Sequence, residues 1–207
     1  MQSYAILIDG GFAKRKLGSK LSPATAETFR GLVARMRAMP ALQDLRLHRI
    51  YYYDSVPLES SHQKPLNGGV MAFGNSPIAA RSRQLFEQLA QQPFMALRLG
   101  DLAFQGWEVS AKKLDKSQGG SVEISADDLR PQISQKGVDM RIGMDIAALT
   151  LKKQVQVIVL VSGDSDFIPA MKFARREGVH LYLAPLGQRV KPAMLEHSDL
   201  LLDVSLT

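Results

Sequence analysis

Apolar runs and helical stripes alternate along the chain. The first run, YAILID at 4–9, is short and ends in an acid. LRLHRIYYYD at 45–54 has the β-branched and aromatic content of a strand and ends in Asp54. VQVIVLV at 155–161 has no polar interruption after Gln156, as expected of a strand buried on both faces, and VHLYLA at 179–184 reads as another strand. Between the runs, apolar residues recur at helical spacing. Ser22-Pro23 predicts a helix start, with Phe29, Leu32, Val33 and Met36 on one face and Pro40 beyond the end. Ser76-Pro77 opens a second helix with Ile78, Leu85 and Leu89 on its apolar face and Pro93 as its stop. A helix over about 138–152 carries two stripes, Val138, Ile142, Ile146 and Leu149, and Met140, Met144, Ala147 and Leu151, which predicts cover on two sides. A further helix starts near Asp166–Pro169 and ends at Gly178, a short one lies around 191–197, and LLLDV closes the chain. Residues 55–75, rich in Gly, Pro, Ser and Asn, predict a loop. MALRLGDLAFQGWEV at 95–109 predicts a hairpin turning at Gly100-Asp101.

Strands alternating with helices imply an α/β fold with a mainly parallel sheet covered on both faces. No internal repeat is present. The expected organisation is a single domain over 1–207, with an inserted hairpin and loop at about 94–135. The length of 207 residues and a hydrophobic share of 45% suit that reading. Cysteine is absent, which excludes disulfides and agrees with a reducing compartment. The first apolar run is too short for a signal peptide and is interrupted by Asp9, and no run approaches the roughly 20 residues of a membrane helix. The expectation is a soluble, cytoplasmic protein with no membrane partner. The formal charge of +6 is clustered, in Lys14-Arg15-Lys16, in Lys112 and Lys113 with Lys116, and in Arg175-Arg176. Such a surface favours a polyanion, most simply nucleic acid.

The acids change the picture most. In open α/β sheets, ligands bind beyond the carboxyl ends of the strands. Asp9 ends the first strand, and VIVLVSGDSDFIPA places Asp164 and Asp166 just past the 155–161 strand. Asp139, in the first turn of the 138–152 helix, can point to the same rim, whereas Asp145 lies two turns further down and is expected to be a half-buried support. Each acid alone has a structural explanation, as a helix cap or a turn residue. Together they repel, by about 4 kcal/mol for a pair ~4 Å apart at an effective dielectric of ~20, unless a hard cation sits among them. Mg2+ or Mn2+ fits oxygen ligands, while the lack of Cys and the scattered His48, His62, His180 and His197 argue against zinc. The basic clusters would then hold phosphates, with Lys136, just before the helix, the best-placed single cation.

YAILIDGGF, QKGVDMRIGMDIAAL at 135–149 and VIVLVSGDSDFIPAMKFARREGVHLYL at 157–183 resemble the bacterial NYN domain, the LabA-like group of the PIN-like nuclease superfamily. The resemblance covers roughly 1–54 and 135–204. It implies a three-layer α/β sandwich and an acidic pocket for Mg2+ or Mn2+, with Asp9, Asp139, Asp164 and Asp166 as catalytic and metal-site acids. It places Asp145 and Ser162 on further positions of the motifs, in supporting roles. The implied reaction is metal-dependent hydrolysis of RNA phosphodiester bonds. On the charge pattern, Arg15, Lys112, Lys113 and Lys136 are the expected RNA contacts. Many relatives carry an asparagine shortly after the first aspartate, but here Gly10-Gly11-Phe12 follows Asp9. The alternative is a non-catalytic RNA-binding or regulatory module. A glycosyltransferase with a strand-end DxD motif would leave Asp9 and Asp139 unexplained. The sequence leaves open DNA as substrate and a homodimer through the doubly apolar helix or the hairpin.

Overall fold

The computed structural model describes residues 1–115 and 121–204, so Lys116 lies outside the described residues. In chain order the elements are β1 (Ser3–Asp9), α1 (Gly10–Leu17), α2 (Ala26–Arg37), α3 (Pro40–Gln43), β2 (Arg46–Ser55), β3 (Ser61–Gln63), β4 (Val70–Ala72), α4 (Pro77–Ala90), β5 (Met95–Val109), α5 (Ala111–Asp115), β6 (Leu129–Lys136), α6 (Val138–Leu151), β7 (Val157–Val161), α7 (Ile168–Arg176), β8 (His180–Leu183), α8 (Pro192–Glu196) and β9 (Leu200–Leu201). None of the helices among the described residues is long and apolar enough to cross a membrane.

The chain divides into two compact units, one of 1–54, 85–99 and 137–207, the other of 55–84 and 100–136. The first unit carries the sheet, in the order β5-β2-β1-β7-β8-β9. β1 pairs in parallel with β2 on one side and β7 on the other, and β7-β8 and β8-β9 are also parallel. Side chains alternate across it as the period-2 pleat requires. Tyr4, Ile6, Ile8, Val157, Val159 and Val161 face Phe12, Phe29, Leu32, Met36, Leu85 and Leu89. Ala5, Leu7, Ile158, Leu160, Leu181 and Leu183 face Ile142, Ile146, Met171, Ala174 and Met194. The result is the expected three-layer, mainly parallel α/β sandwich, with every residue of β7 buried, as its uninterrupted apolar run implies.

Several local expectations give way. The chain does not turn at Gly100-Asp101: β5 runs straight through both, and its second half pairs antiparallel with β6, from Asp101 opposite Lys136 to Val109 opposite Leu129. Ladder pairing along the strand outweighs the local turn signal, and the glycine that does bend it is Gly106, at φ 127, where the register shifts. The helix expected from Ser22-Pro23 starts at Ala26. Its cap is Thr25, which shares a reciprocal capping box with Thr28. Ser76 does cap α4, through the Ala79 N–H. The predicted loop over 55–75 contains the β3-β4 ladder, in which His62 faces Met71. In that unit His62 stacks on Phe104 at 3.9 Å, Phe104 meets Trp107 edge-on, and the Trp107 indole N–H donates to the Gln63 carbonyl. The second stripe of α6 is not covered: Met140, Met144 and Leu151 are 68%, 64% and 63% exposed. Tyr51, Tyr52 and Tyr53 are all buried in the core of the first unit and present no ring for stacking a base.

Candidate active site

β1 and β7 are neighbours, with Ile8 opposite Val161, so the residues that follow each strand meet on the carboxyl edge of the sheet. Asp9 is the last residue of β1 and also the N-cap of α1, an element that begins with no intervening loop. Its Oδ1 accepts the Phe12 N–H at 3.0 Å, and its Oδ2 accepts the Ser162 hydroxyl at 3.0 Å. Ser162, fully buried, in turn accepts the Asp164 N–H at 3.2 Å. Asp164 Oδ1 accepts the Asp166 N–H at 2.9 Å and caps the short turn that leads into α7. The capping explanation for Asp9 and Asp164 therefore holds, and one hydroxyl ties the two acids together.

Asp139 sits in the first turn of α6, after Gly137 at φ 77. Loss of solvent raises its carboxyl above the ordinary 3.8, and the charges of Asp9, Asp164 and Asp166 raise it further. Burial also raises Asp9. The Phe12 N–H, the Ser162 hydroxyl and Arg15 oppose that rise, and Asp164 adds to it. The four acids thus share one electrostatic neighbourhood, drawn from three separate stretches of chain. The donor set is oxygen only, which suits Mg2+ or Mn2+. As the side chains are placed, however, no group of three or more His, Asp or Glu among the described residues converges closely enough to hold a metal ion.

The supporting residues lie deeper. Asp145 Oδ2 accepts the buried Tyr53 hydroxyl at 2.8 Å and pairs with Arg98 Nε at 3.1 Å, while the Arg98 guanidinium covers the Tyr51 ring. Burial, then Asp145, holds the Tyr53 hydroxyl far above its ordinary range, so it stays a donor. Tyr53→Phe should cost about 1.5 kcal/mol, the value of a hydrogen bond to a charged group, as read by urea unfolding. An unchanged midpoint would show that Arg98 alone suffices. At the end of β2, buried Asp54 accepts the Tyr52 hydroxyl at 2.8 Å and pairs with Lys14 of α1 at 2.6 Å. Gly10 fits beneath this contact, since a Cβ there would lie 2.5 Å from the Tyr53 carbonyl oxygen and 2.6 Å from the Tyr52 ring.

The cations expected to meet RNA are dispersed. Arg15 is exposed on α1 and acts on Asp9. Lys136 is exposed at the end of β6, and Lys113 pairs with Asp128 at 3.3 Å. The Lys112 side chain lies outside the described residues. Sequence reasoning missed Lys14 as the partner of Asp54. It also missed Gln188 and Lys191, which follow β8: Gln188 Nε2 donates to the Gly163 carbonyl at 3.4 Å, and Lys191 Nζ to Ser165 Oγ at 2.9 Å. The strand-end rule that singled out Asp164 points there too when it is applied to VHLYLA.

The NYN domain family matches residues 28–199, most of the chain, and this protein belongs to it, within the PIN-like nuclease superfamily. The matched span includes Asp139, Asp164 and Asp166 but begins after Asp9. The fold is similar to the crystal structure of a protein of unknown function from Vibrio parahaemolyticus, with a TM-score of 0.53 at 16% identity, over 97% of this chain and 91% of that one. A search of the curated proteins finds no match.

Proposed function

We propose that this protein is a metal-dependent ribonuclease of the LabA-like kind, hydrolysing RNA phosphodiester bonds at the rim formed by Asp9, Asp139, Asp164 and Asp166, in the cytoplasm. The observation that carries this reading is that Asp9 and Asp164 meet on the carboxyl edge of the sheet through the shared Ser162 hydroxyl, with Asp166 bonded to Asp164, and that the like charges of these three acids raise the Asp139 carboxyl in the first turn of α6. Mutual repulsion of this kind is costly in the metal-free protein and is relieved by a cation. A divalent ion held there would supply the charge that activates water and stabilises the negative charge developing on phosphate. The chain's own part is to fix the acids: Ser162 and the Phe12 N–H leave the Asp9 carboxylate little freedom, and the Asp166 N–H does the same for Asp164. Arg15 is exposed and suited to a phosphate contact that positions the strand without reading its sequence, and Lys136, in the second unit, is exposed as well.

End-labelled RNA incubated with Mn2+, Mg2+ or EDTA tests the reading. Cleavage that requires the ion supports it, and an inert protein on diverse RNAs sinks it. A second reading, a non-catalytic RNA-binding module, is favoured by the failure of any three acids among the described residues to converge on a metal position. It predicts RNA binding without cleavage. A homodimer would give the exposed Met140, Met144 and Leu151 a partner, and the mass of the protein in solution tests it.

A further inference from the structure

The loop after β8 brings a second set of side chains to the acidic rim. The strand order β1-β7-β8 places this loop beside the turn that follows β7. The loop is seated closely. A Cβ at Gly163 would lie 2.5 Å from Gln188 Nε2 and 2.9 Å from the Phe12 ring, so the Gln188 amide rests on the one position of SGDSDF without a side chain. Three residues on, Lys191 reaches Ser165, the residue between Asp164 and Asp166. Lys14 is engaged by Asp54, and Arg98 by Asp145. Lys191 is exposed, is held by a neutral hydroxyl, and has no ion pair among the described residues. A serine hydroxyl is a weak partner for an ammonium group, and a phosphate oxygen is a stronger one that Nζ can take with little movement of its stem.

We propose that Lys191 is a positioning residue that binds a backbone phosphate of the RNA on the β8 side of the acidic rim, flanking the phosphate to be cleaved. This rests on the nuclease reading for its substrate, and it adds the direction in which the strand leaves the acids. Arg15, acting on Asp9 from α1, stands on the β1 side, so the RNA backbone crosses the ends of β1, β7 and β8 between two cations. Gln188, by seating the loop on Gly163, fixes the height of Lys191 above the rim.

The test measures binding of a fluorescently labelled single-stranded RNA in EDTA, where no cleavage occurs, over a range of salt concentrations. Lys191→Ala should weaken binding about fivefold at 0.1 M salt and lower the slope of log affinity against log salt by about 0.7, the counterion released at one single-strand phosphate contact. Lys191→Arg should retain most of the affinity, because the charge is kept. Lys152→Ala is the control. Lys152 is exposed beyond the far end of α6, about 20 Å along the helix from Asp139, and its loss should change neither quantity. Circular dichroism confirms that each variant is folded. If wild type binds RNA and Lys191→Ala binds it with the same affinity and salt slope, the proposal is wrong, whatever the cleavage assay gives. If wild type cleaves RNA but Lys191→Ala is unchanged in binding, the nuclease reading stands without it. If Lys191→Ala loses the contact but wild type never cleaves, the phosphate site stands and the nuclease reading falls. If wild type does not bind RNA in EDTA, the Lys191 proposal is wrong, and the cleavage assay with Mn2+ or Mg2+ decides the nuclease reading separately.

Discussion

Asp9→Asn and Asp164→Asn are each expected to lower metal-dependent RNA cleavage by at least about a hundredfold while leaving the protein folded. A hundredfold is the upper range for losing a residue that merely orients a metal ligand, and loss of a ligand should exceed it. The asparagine is chosen because it separates the two roles that each acid has. At Asp9 an amide oxygen still accepts the Phe12 N–H, and the amide nitrogen donates to Ser162 Oγ in place of the hydroxyl bond it loses. At Asp164 the oxygen still accepts the Asp166 N–H. Both caps are therefore kept; at Asp164 only negative charge is removed, while at Asp9 the Ser162 bond is also reversed. Cleavage that survives both substitutions in folded protein would mean that these acids are caps and nothing more. A loss confined to Asp9→Asn would point instead to the Ser162 bond, because that hydroxyl reverses its role only in this variant.

The central sheet and the places of the four acids along its elements were legible because their signals are local and periodic. An uninterrupted VIVLV, an apolar stripe repeating every three to four residues on α6 and acids at strand ends each reflect the immediate neighbourhood of a residue, and all three appear where expected. What was not legible depended on contacts distant in sequence. α1 was missed because Gly10-Gly11 reads as a turn, yet Gly10 is what lets the helix start against Tyr52 and Tyr53 of β2. The turn expected at Gly100-Asp101 is absent because β6, some 30 residues away, pairs straight along β5. The second stripe of α6 looked like a buried face, but periodicity reports apolar character and not whether anything lies opposite. Asp145 was expected to be a half-buried support, but its partners Tyr53 and Arg98 come from two different strands that no spacing could connect. Lys191 was hidden for the same reason, since its contact with Ser165 is set by the order of β7 and β8 in the sheet.

Saturating Mn2+ is expected to stabilise the protein by about 2.7 kcal/mol at a hundredfold excess over its dissociation constant, and Asp139→Asn to abolish most of that gain. In EDTA the same substitution should make the protein more stable than wild type at neutral pH. The sign follows from the Asp139 carboxyl, which takes up its proton more readily in the folded protein than at its ordinary 3.8. Between those two values the folded state binds more protons than the unfolded one, so stability falls as pH rises through the interval and the whole penalty is present above it. Asp9 is shifted in the same direction and contributes likewise. Protons and Mn2+ compete for these carboxylates, so the stabilisation by Mn2+ should be fully present at neutral pH and shrink as pH falls through the raised values, together with the advantage of Asp139→Asn in EDTA. Asp128 behaves oppositely. Its carboxyl is lowered by the Ser125 N–H and hydroxyl and by Lys113, so its contribution is present above 3.8 and is lost only as pH falls through a lower value. Thermal unfolding of both proteins with Mn2+ and with EDTA across this pH range resolves the two processes. Equal melting temperatures for wild type and Asp139→Asn in EDTA at neutral pH would show that the rim acids do not strain the metal-free protein. An absent response to Mn2+ would show that they do not gather an ion.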